Sequence, residues 1–287
     1  MRKAPLPHRY QSTLQRELRF EGVGLHSGAP TRVVLAPAPP DNGLTIRVAD
    51  GAYHPLTADL VVETVRATTI GFDGSTISTV EHLCSAILGM GVDNVAVTVE
   101  GDEIPVLDGS AKLFADAIAG AGTASQRAPR RCFVAVAPLY YRDGDRLLVV
   151  LPASTFRVRF VVDFEEPVGS QYFAAEITPE AFRHEIAPAR TFGWLHEVEA
   201  LRERGLALGG TLDNAVVYGP QGPINEPRFA DEAVRHKVLD LIGDFALLGA
   251  YPQCELVSFK SGHRLHAQAV MDLRRAVTSK DSAIAIT

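Results

Sequence analysis

Between Gln11 and Val48 apolar and polar residues alternate, the period of a strand with one buried face. Two turn-forming runs interrupt the alternation, Gly22-Val23-Gly24-Leu25-His26-Ser27-Gly28 and Pro37-Ala38-Pro39-Pro40-Asp41-Asn42-Gly43, so the segment predicts strands joined by turns. Over 79–90 the period lengthens. Val80, Leu83, Ala86, Ile87 and Met90 fall on one helical face, Ser78 or Thr79 is placed to cap the start, and Gly89 or Gly91 ends the helix. Alternation returns over 92–100, and Asp108-Gly109-Ser110 precedes a second helix at 111–119.

Residues 120–131 mix Gly, Ala, Ser, Pro and Arg without an apolar period, which predicts a linker between two halves. The second half reads as strands at 132–137, 146–151 and 156–164, then a helix at 231–248 and a strand at 255–260. Val80-Glu81-His82 followed by Ile87-Leu88-Gly89 aligns with Val234-Arg235-His236 followed by Leu241-Ile242-Gly243. Both stretches place a histidine in the first turns of a helix, as a duplicated α+β unit would.

With 46% hydrophobic and 22% charged residues, the 287-residue chain suits one large or two modest globular domains. Its three cysteines, Cys84, Cys132 and Cys254, are odd in number and widely spaced, which fits neither a disulfide framework nor a zinc ribbon. A reducing, cytoplasmic compartment is expected. Arg2, Lys3 and Arg9 are not followed by the apolar stretch of a signal peptide, and nowhere do eighteen apolar residues run together. An integral membrane segment is therefore not expected, although transient contact with a membrane surface stays open. The net charge of -6 argues against a nucleic-acid partner while leaving room for one small anionic ligand held by local cations.

His236 and Asp240 stand four residues apart on the second helix, hence on one face, where they form either a two-point platform for a metal ion or a hydrogen-bonded pair. If His82 also binds a metal, its neighbour Glu81 points about 100° away around the helix. That offset suits a base acting on water better than a ligand. His263 follows a predicted strand, in a turn, and Asp244 lies two helical turns beyond His236, where it could hold a protonated imidazole and favour acid chemistry. Arg190-Thr191-Phe192-Gly193-Trp194 offers a hydroxyl for an oxyanion and two aromatic faces for a sugar ring, or simply core packing.

Taken in order, these segments resemble the UDP-3-O-acyl-N-acetylglucosamine deacetylases of lipid A biosynthesis. The resemblance runs through Gly22 to Gly28, Ser78-Thr79-Val80-Glu81-His82-Leu83, Asp93-Asn94, Ile104-Pro105-Val106-Leu107-Asp108-Gly109-Ser110 and Ala189-Arg190-Thr191-Phe192-Gly193. It continues through Gly205-Leu206-Ala207-Leu208-Gly209-Gly210, Val234-Arg235-His236-Lys237-Val238-Leu239-Asp240, Ile242-Gly243-Asp244 and Phe259-Lys260-Ser261-Gly262-His263. It implies a catalytic zinc on His82, His236 and Asp240, with Glu81 as base and His263 as the cation that protonates the leaving amine. Asp244 would orient His263, and Thr191 would hold the oxyanion.

Phe192, Lys237 and Lys260 match substrate-binding positions in that family, and Trp194 stands where a smaller aromatic is commoner. Lys237, Lys260 and Arg190 could supply positive charge for a UDP group. Two imidazoles and a carboxylate suit ferrous iron as well as zinc. The implied fold is α+β, two similar domains in a duplicated β-α-α-β sandwich, at 1–125 and 126–287. Each domain carries a small insert, the second a strand-helix-strand unit at about 194–218 lining a passage for the acyl chain. An acylated UDP-sugar is the expected partner, with no obligate protein partner. A related amidase acting on another acylated sugar, and a binding protein that has kept the scaffold, are the competing readings.

The chain departs from the family pattern at Pro227, where relatives carry a longer turn, and in 63–70, which lacks a cysteine that some relatives have near the metal.

Overall fold

The computed structural model describes residues 10–279 and 284–286; the basic residues Arg2, Lys3 and Arg9 lie outside them. The fold is mixed α+β, with several sheets and two helices crossing at its centre. In the first half a five-stranded sheet runs in the order Leu18–Val23, Pro30–Pro37, Val95–Glu100, Leu44–Val48, His54–Pro55. Its pairings are antiparallel except that Leu44–Val48 lies parallel to Val95–Glu100.

The larger sheet of the second half repeats this scheme. Leu139–Asp143 and Arg146–Pro152 form a hairpin, Tyr251–Phe259 returns antiparallel to it, and Arg157–Asp163 lies parallel to Tyr251–Phe259 with Ser170–Glu176 beyond. In both halves the return strand comes directly after one of the crossing helices, Glu81–Gly89 or Glu232–Ala246.

The core lies between these sheets and helices. Val33, Leu35, Val97 and Val99 from one sheet and Leu148, Val150, Val158, Phe160 and Leu256 from the other are all buried. The helices contribute Leu83, Ala86, Ile87, Val234, Val238, Leu241 and Phe245. Every residue of Glu81–Gly89 is buried, polar ones included, because the Glu232–Ala246 helix covers the side that would otherwise face solvent. The crossing is close at Gly243, where an added Cβ would stand 2.1 Å from the Glu81 carbonyl oxygen. Cys84, Cys132 and Cys254 are buried free thiols.

Four expectations are corrected. Residues 120–131 are not irregular: Thr123–Pro129 is a strand pairing antiparallel with Tyr10–Leu14. Neither Ser78 nor Thr79 caps the first helix; Val80 occupies that place without a side-chain bond, while Thr79, at φ +58, donates its hydroxyl to Glu103. His263 is not in an isolated turn but is the first residue of a 17-residue helix, His263–Ser279. Arg190 is turned away from solvent, its Nε donating to Glu232 and its Nη2 to Glu232 and the Glu226 carbonyl.

Two small units flank the site. Val61–Glu63, Thr69–Phe72 and Ser75–Ile77 form a three-stranded sheet. Phe192–Trp194, the Leu195–Glu203 helix and Val216–Gly219 form a strand-helix-strand crossover whose strands pair in parallel.

Candidate metal centre and cleft

The helical repeat puts His236 and Asp240 one turn apart on the face of Glu232–Ala246 that meets the first turn of Glu81–Gly89. Asp240 Oδ1 lies 3.4 Å from His236 Nε2 and 4.0 Å from His82 Nε2, and the two imidazole centroids are 5.0 Å apart. His236 Nδ1 donates to the Ala189 carbonyl at 3.1 Å. That bond fixes the tautomer with the Nε2 lone pair pointing at the carboxylate. Burial lowers the pKa of both histidines, His82 to about 3, so both rings are neutral.

Asp240 Oδ1 is itself buried without a hydrogen-bond partner. Burial alone would raise the pKa of this carboxyl group, but the neighbouring cations Lys237 and His263 hold it well below the usual range. An anionic acceptor therefore faces the His236 Nε2 lone pair, with His82 Nε2 close by, an arrangement that a shared cation relieves and that no hydrogen bond here does. The three residues fit a divalent metal by donor type, protonation and convergence, with donor atoms all within 4.8 Å of one another.

Glu81 stands beside this trio and not within it. Thr68 N–H donates to its Oε2 at 3.1 Å, and its Oε1 is 3.9 Å from His263 Nε2. Burial, opposed by His263, raises the Glu81 pKa to about 8. His263 shifts the other way from a buried imidazole. Burial pulls its pKa down, but Asp244, Glu81 and Asp240 outweigh that and push it up to about 9.

Asp244 is the main partner of His263, accepting from His263 Nδ1 at 2.8 Å. The same Oδ2 accepts from His266 Nδ1 at 2.7 Å, and Oδ1 accepts from the Thr68 hydroxyl at 2.6 Å. Ser261 continues the network, 2.6 Å from His266 Nε2 and 2.5 Å from Ser258. Thr68, His266 and Ser261 escaped the sequence reading. For His266 a signal was present, because Leu265, His266, Ala269, Val270 and Leu273 recur with helical spacing and are all buried.

The trio opens into a cleft of about 540 Å³ lined by Thr191, Phe192, Trp194, Lys237 and Lys260 among others. The Lys237 ammonium reaches Asp240 Oδ2 at 2.6 Å, and Lys260 reaches Asp145 at 2.7 Å. The Phe192 and His236 ring centroids are 6.0 Å apart with the rings nearly perpendicular, and Phe192 forms an aromatic cluster with Phe164, Trp194 and Tyr218. Arg66 and Arg146, not Arg190, add positive charge to the lining. Beyond Phe192 and Trp194 lies a passage of about 340 Å³ lined mostly by apolar side chains, including Leu25, Leu195, Val198, Leu201 and Leu212. Arg66 borders both spaces and holds Glu197 of the crossover helix with two bonds of 3.1 Å.

Comparison with known sequences decides the family. The sequence pattern of LpxC, UDP-3-O-acyl N-acetylglycosamine deacetylase, matches residues 11–275. The chain belongs to the LpxC family. It is 44% identical over 267 residues to a UDP-3-O-acyl-N-acetylglucosamine deacetylase of Syntrophotalea carbinolica, covering 91% of this chain and 86% of that one. The like-named protein of Oleidesulfovibrio alaskensis is 46% identical, covering 89% and 86%, and that of Nostoc sp. 41% identical, covering 90% and 96%. Among the described residues of this LpxC-family chain, no helix is long and apolar enough to cross a membrane.

Proposed function

We propose that the chain hydrolyses the N-acetyl group of UDP-3-O-acyl-N-acetylglucosamine to acetate and the free amine, as the committed step of lipid A biosynthesis in the cytoplasm. The observation carrying this reading is the convergence of two neutral imidazoles on the unpartnered Asp240 Oδ1, beside one carboxyl group of raised pKa and one charged imidazole. His82, His236 and Asp240 would hold a zinc or ferrous ion. When bound, that ion would supply Lewis-acid polarisation and make hydroxide available near neutral pH.

Glu81 then takes the proton of the attacking water as its oxygen bonds to the acetyl carbon; one oxygen of Glu81 is fixed by Thr68 N–H and the other is on the His263 side. His263, held at Nδ1 by Asp244, presents Nε2–H to the cleft and gives its proton to the nitrogen as the C–N bond breaks. The Thr191 hydroxyl borders the cleft, where it would donate to the oxygen that gains charge. Phe192 and Trp194 would flank the sugar at the mouth of the apolar passage, and the acyl chain would fill that passage. Lys237 and Lys260 would face the polar part of the substrate.

In this reading the chain is a duplicated β-α-α-β sandwich with domains at 1–125 and 126–287. The strand-helix-strand insert of the second domain, at about 194–218, forms the acyl passage. The deciding experiment is a deacetylation assay on acylated UDP-N-acetylglucosamine coupled to metal analysis. Turnover that tracks metal content supports the reading. Failure of the metal-loaded protein on this substrate, with success on another N-acetyl sugar, replaces it with an amidase of different specificity.

A further inference from the structure

Thr68 is buried at 1% exposure and lines no part of the cleft, yet it touches the proposed base Glu81, the proposed acid His263 and the Asp244 that holds that acid. Its backbone is tied to the start of the Glu81–Gly89 helix. Its carbonyl accepts from Val80 N at 3.3 Å and its N–H donates to Glu81 Oε2 at 3.1 Å. This helix start has no side-chain cap, and the Thr68 carbonyl takes one of its N–H groups that lack an intrahelical partner, that of Val80.

Its side chain reaches the other half of the molecule. The single hydroxyl proton goes to Asp244 Oδ1 at 2.6 Å, leaving the oxygen lone pairs toward His263 Nδ1 at 3.2 Å. His263 Nδ1–H is thus shared between Asp244 Oδ2, at 2.8 Å, and the Thr68 oxygen. Asp244 Oδ2 also accepts from His266, so without Thr68 the carboxylate would have both its donor histidines on one oxygen and no donor from this side on the other. A carboxylate held at both oxygens cannot swivel, and neither then can the imidazole that depends on it.

We propose that Thr68 is a positioning residue that fixes the Glu81 carboxylate and the His263 imidazole relative to each other across the two halves of the fold. The assignment of base and acid to those two groups rests on the function proposed above. Thr68 would act without touching substrate, its main chain setting Glu81 and its hydroxyl setting Asp244 and His263.

The test compares Thr68→Val, which keeps shape and backbone but loses the hydroxyl, with Thr68→Ser, which keeps the hydroxyl. For Thr68→Val, kcat should fall about ten- to a hundredfold, the worth of one hydrogen bond to a buried charged group. KM and metal content should stay as in the unsubstituted protein, and Thr68→Ser should restore most of kcat. In the metal-free protein, nitrogen NMR of the His263 imidazole should show Nδ1–H exchanging with solvent markedly faster in Thr68→Val than in Thr68→Ser.

An unchanged kcat in Thr68→Val, equal losses in both variants, or loss of metal alongside kcat would each overturn the assignment. If the unsubstituted, metal-loaded protein does not deacetylate the substrate, the proposed reaction fails. The imidazole exchange measurement still decides whether Thr68 holds His263, and equal exchange in both variants overturns that.

Discussion

Replacing Gly243 by alanine sets two effects of opposite sign against each other. Helix propensity favours the change by about 1 kcal/mol, because alanine is the better helix former. The crossing opposes it: the new Cβ would lie 2.1 Å from the Glu81 carbonyl oxygen and 2.9 Å from the Glu81 Cα. The first distance is about 1.3 Å short of an ordinary 3.4 Å contact. Both obstructing atoms are backbone, so no rotamer change relieves them and the helices must part.

Overpacking of this kind costs about 1–3 kcal/mol, and a backbone clash belongs at the upper end, so a net loss near 2 kcal/mol remains after the propensity gain. For a chain of 287 residues that lowers Tm by about 3 °C. Parting the helices also separates His82 from His236 and Asp240, and misplacement of about 1 Å at a reacting centre costs about a hundredfold in rate. Thermal unfolding and a competitive metal titration read the two effects separately. A Gly243→Ala protein with Tm at or above the starting value and unaltered metal affinity would refute the claim that this crossing builds the site.

Three other outcomes are expected. Glu81→Ala should keep its metal, since Glu81 stands outside the His82, His236, Asp240 trio, while losing about 10²–10⁴-fold in turnover; metal analysis showing an empty protein would contradict the role. Chelator treatment should abolish activity yet leave a cooperative thermal transition well above room temperature, because the apolar core closes without the metal site. In the metal-free protein His263 should titrate near pH 9, staying protonated and able to donate throughout the neutral range, and Asp244→Asn should bring that midpoint down because the largest charge raising it is gone. NMR of the imidazole carbon-bound protons follows both titrations.

Much of the site was legible because helical geometry is local. A histidine and an aspartate four residues apart must share a face, and Glu81 must diverge from His82, whatever surrounds them. What periodicity could not supply is contact between distant segments. Thr68 lies in 64–68, between short strands with no pattern of its own, and its importance comes from Asp244, 176 residues away. The Thr123–Pro129 strand reads as a linker in the sequence because it is an edge strand with alternating polar residues and little burial. Backbone pairing with Tyr10–Leu14 holds it, and the Asn94 amide binds Gln126 at 2.6 Å. The His263–Ser279 helix was hidden by Ser261-Gly262 at its start, which reads as a turn, although the spacing of its apolar residues was helical. Arg190 looked like a ligand-binding cation by charge alone. Glu232, fully buried, claims it, and no sequence count distinguishes a cation facing solvent from one neutralised inside.

The inaccessible thiols have a practical consequence. Burial raises the pKa of Cys84, Cys132 and Cys254, keeping them in the unreactive protonated form, so the native protein should resist maleimides and mild oxidants at neutral pH. A single Leu208→Cys change, at a side chain 51% exposed on the segment after the crossover helix, would then create one reactive handle on an otherwise silent background. A fluorophore or spin probe attached there would report on that segment without first stripping the chain of its native cysteines.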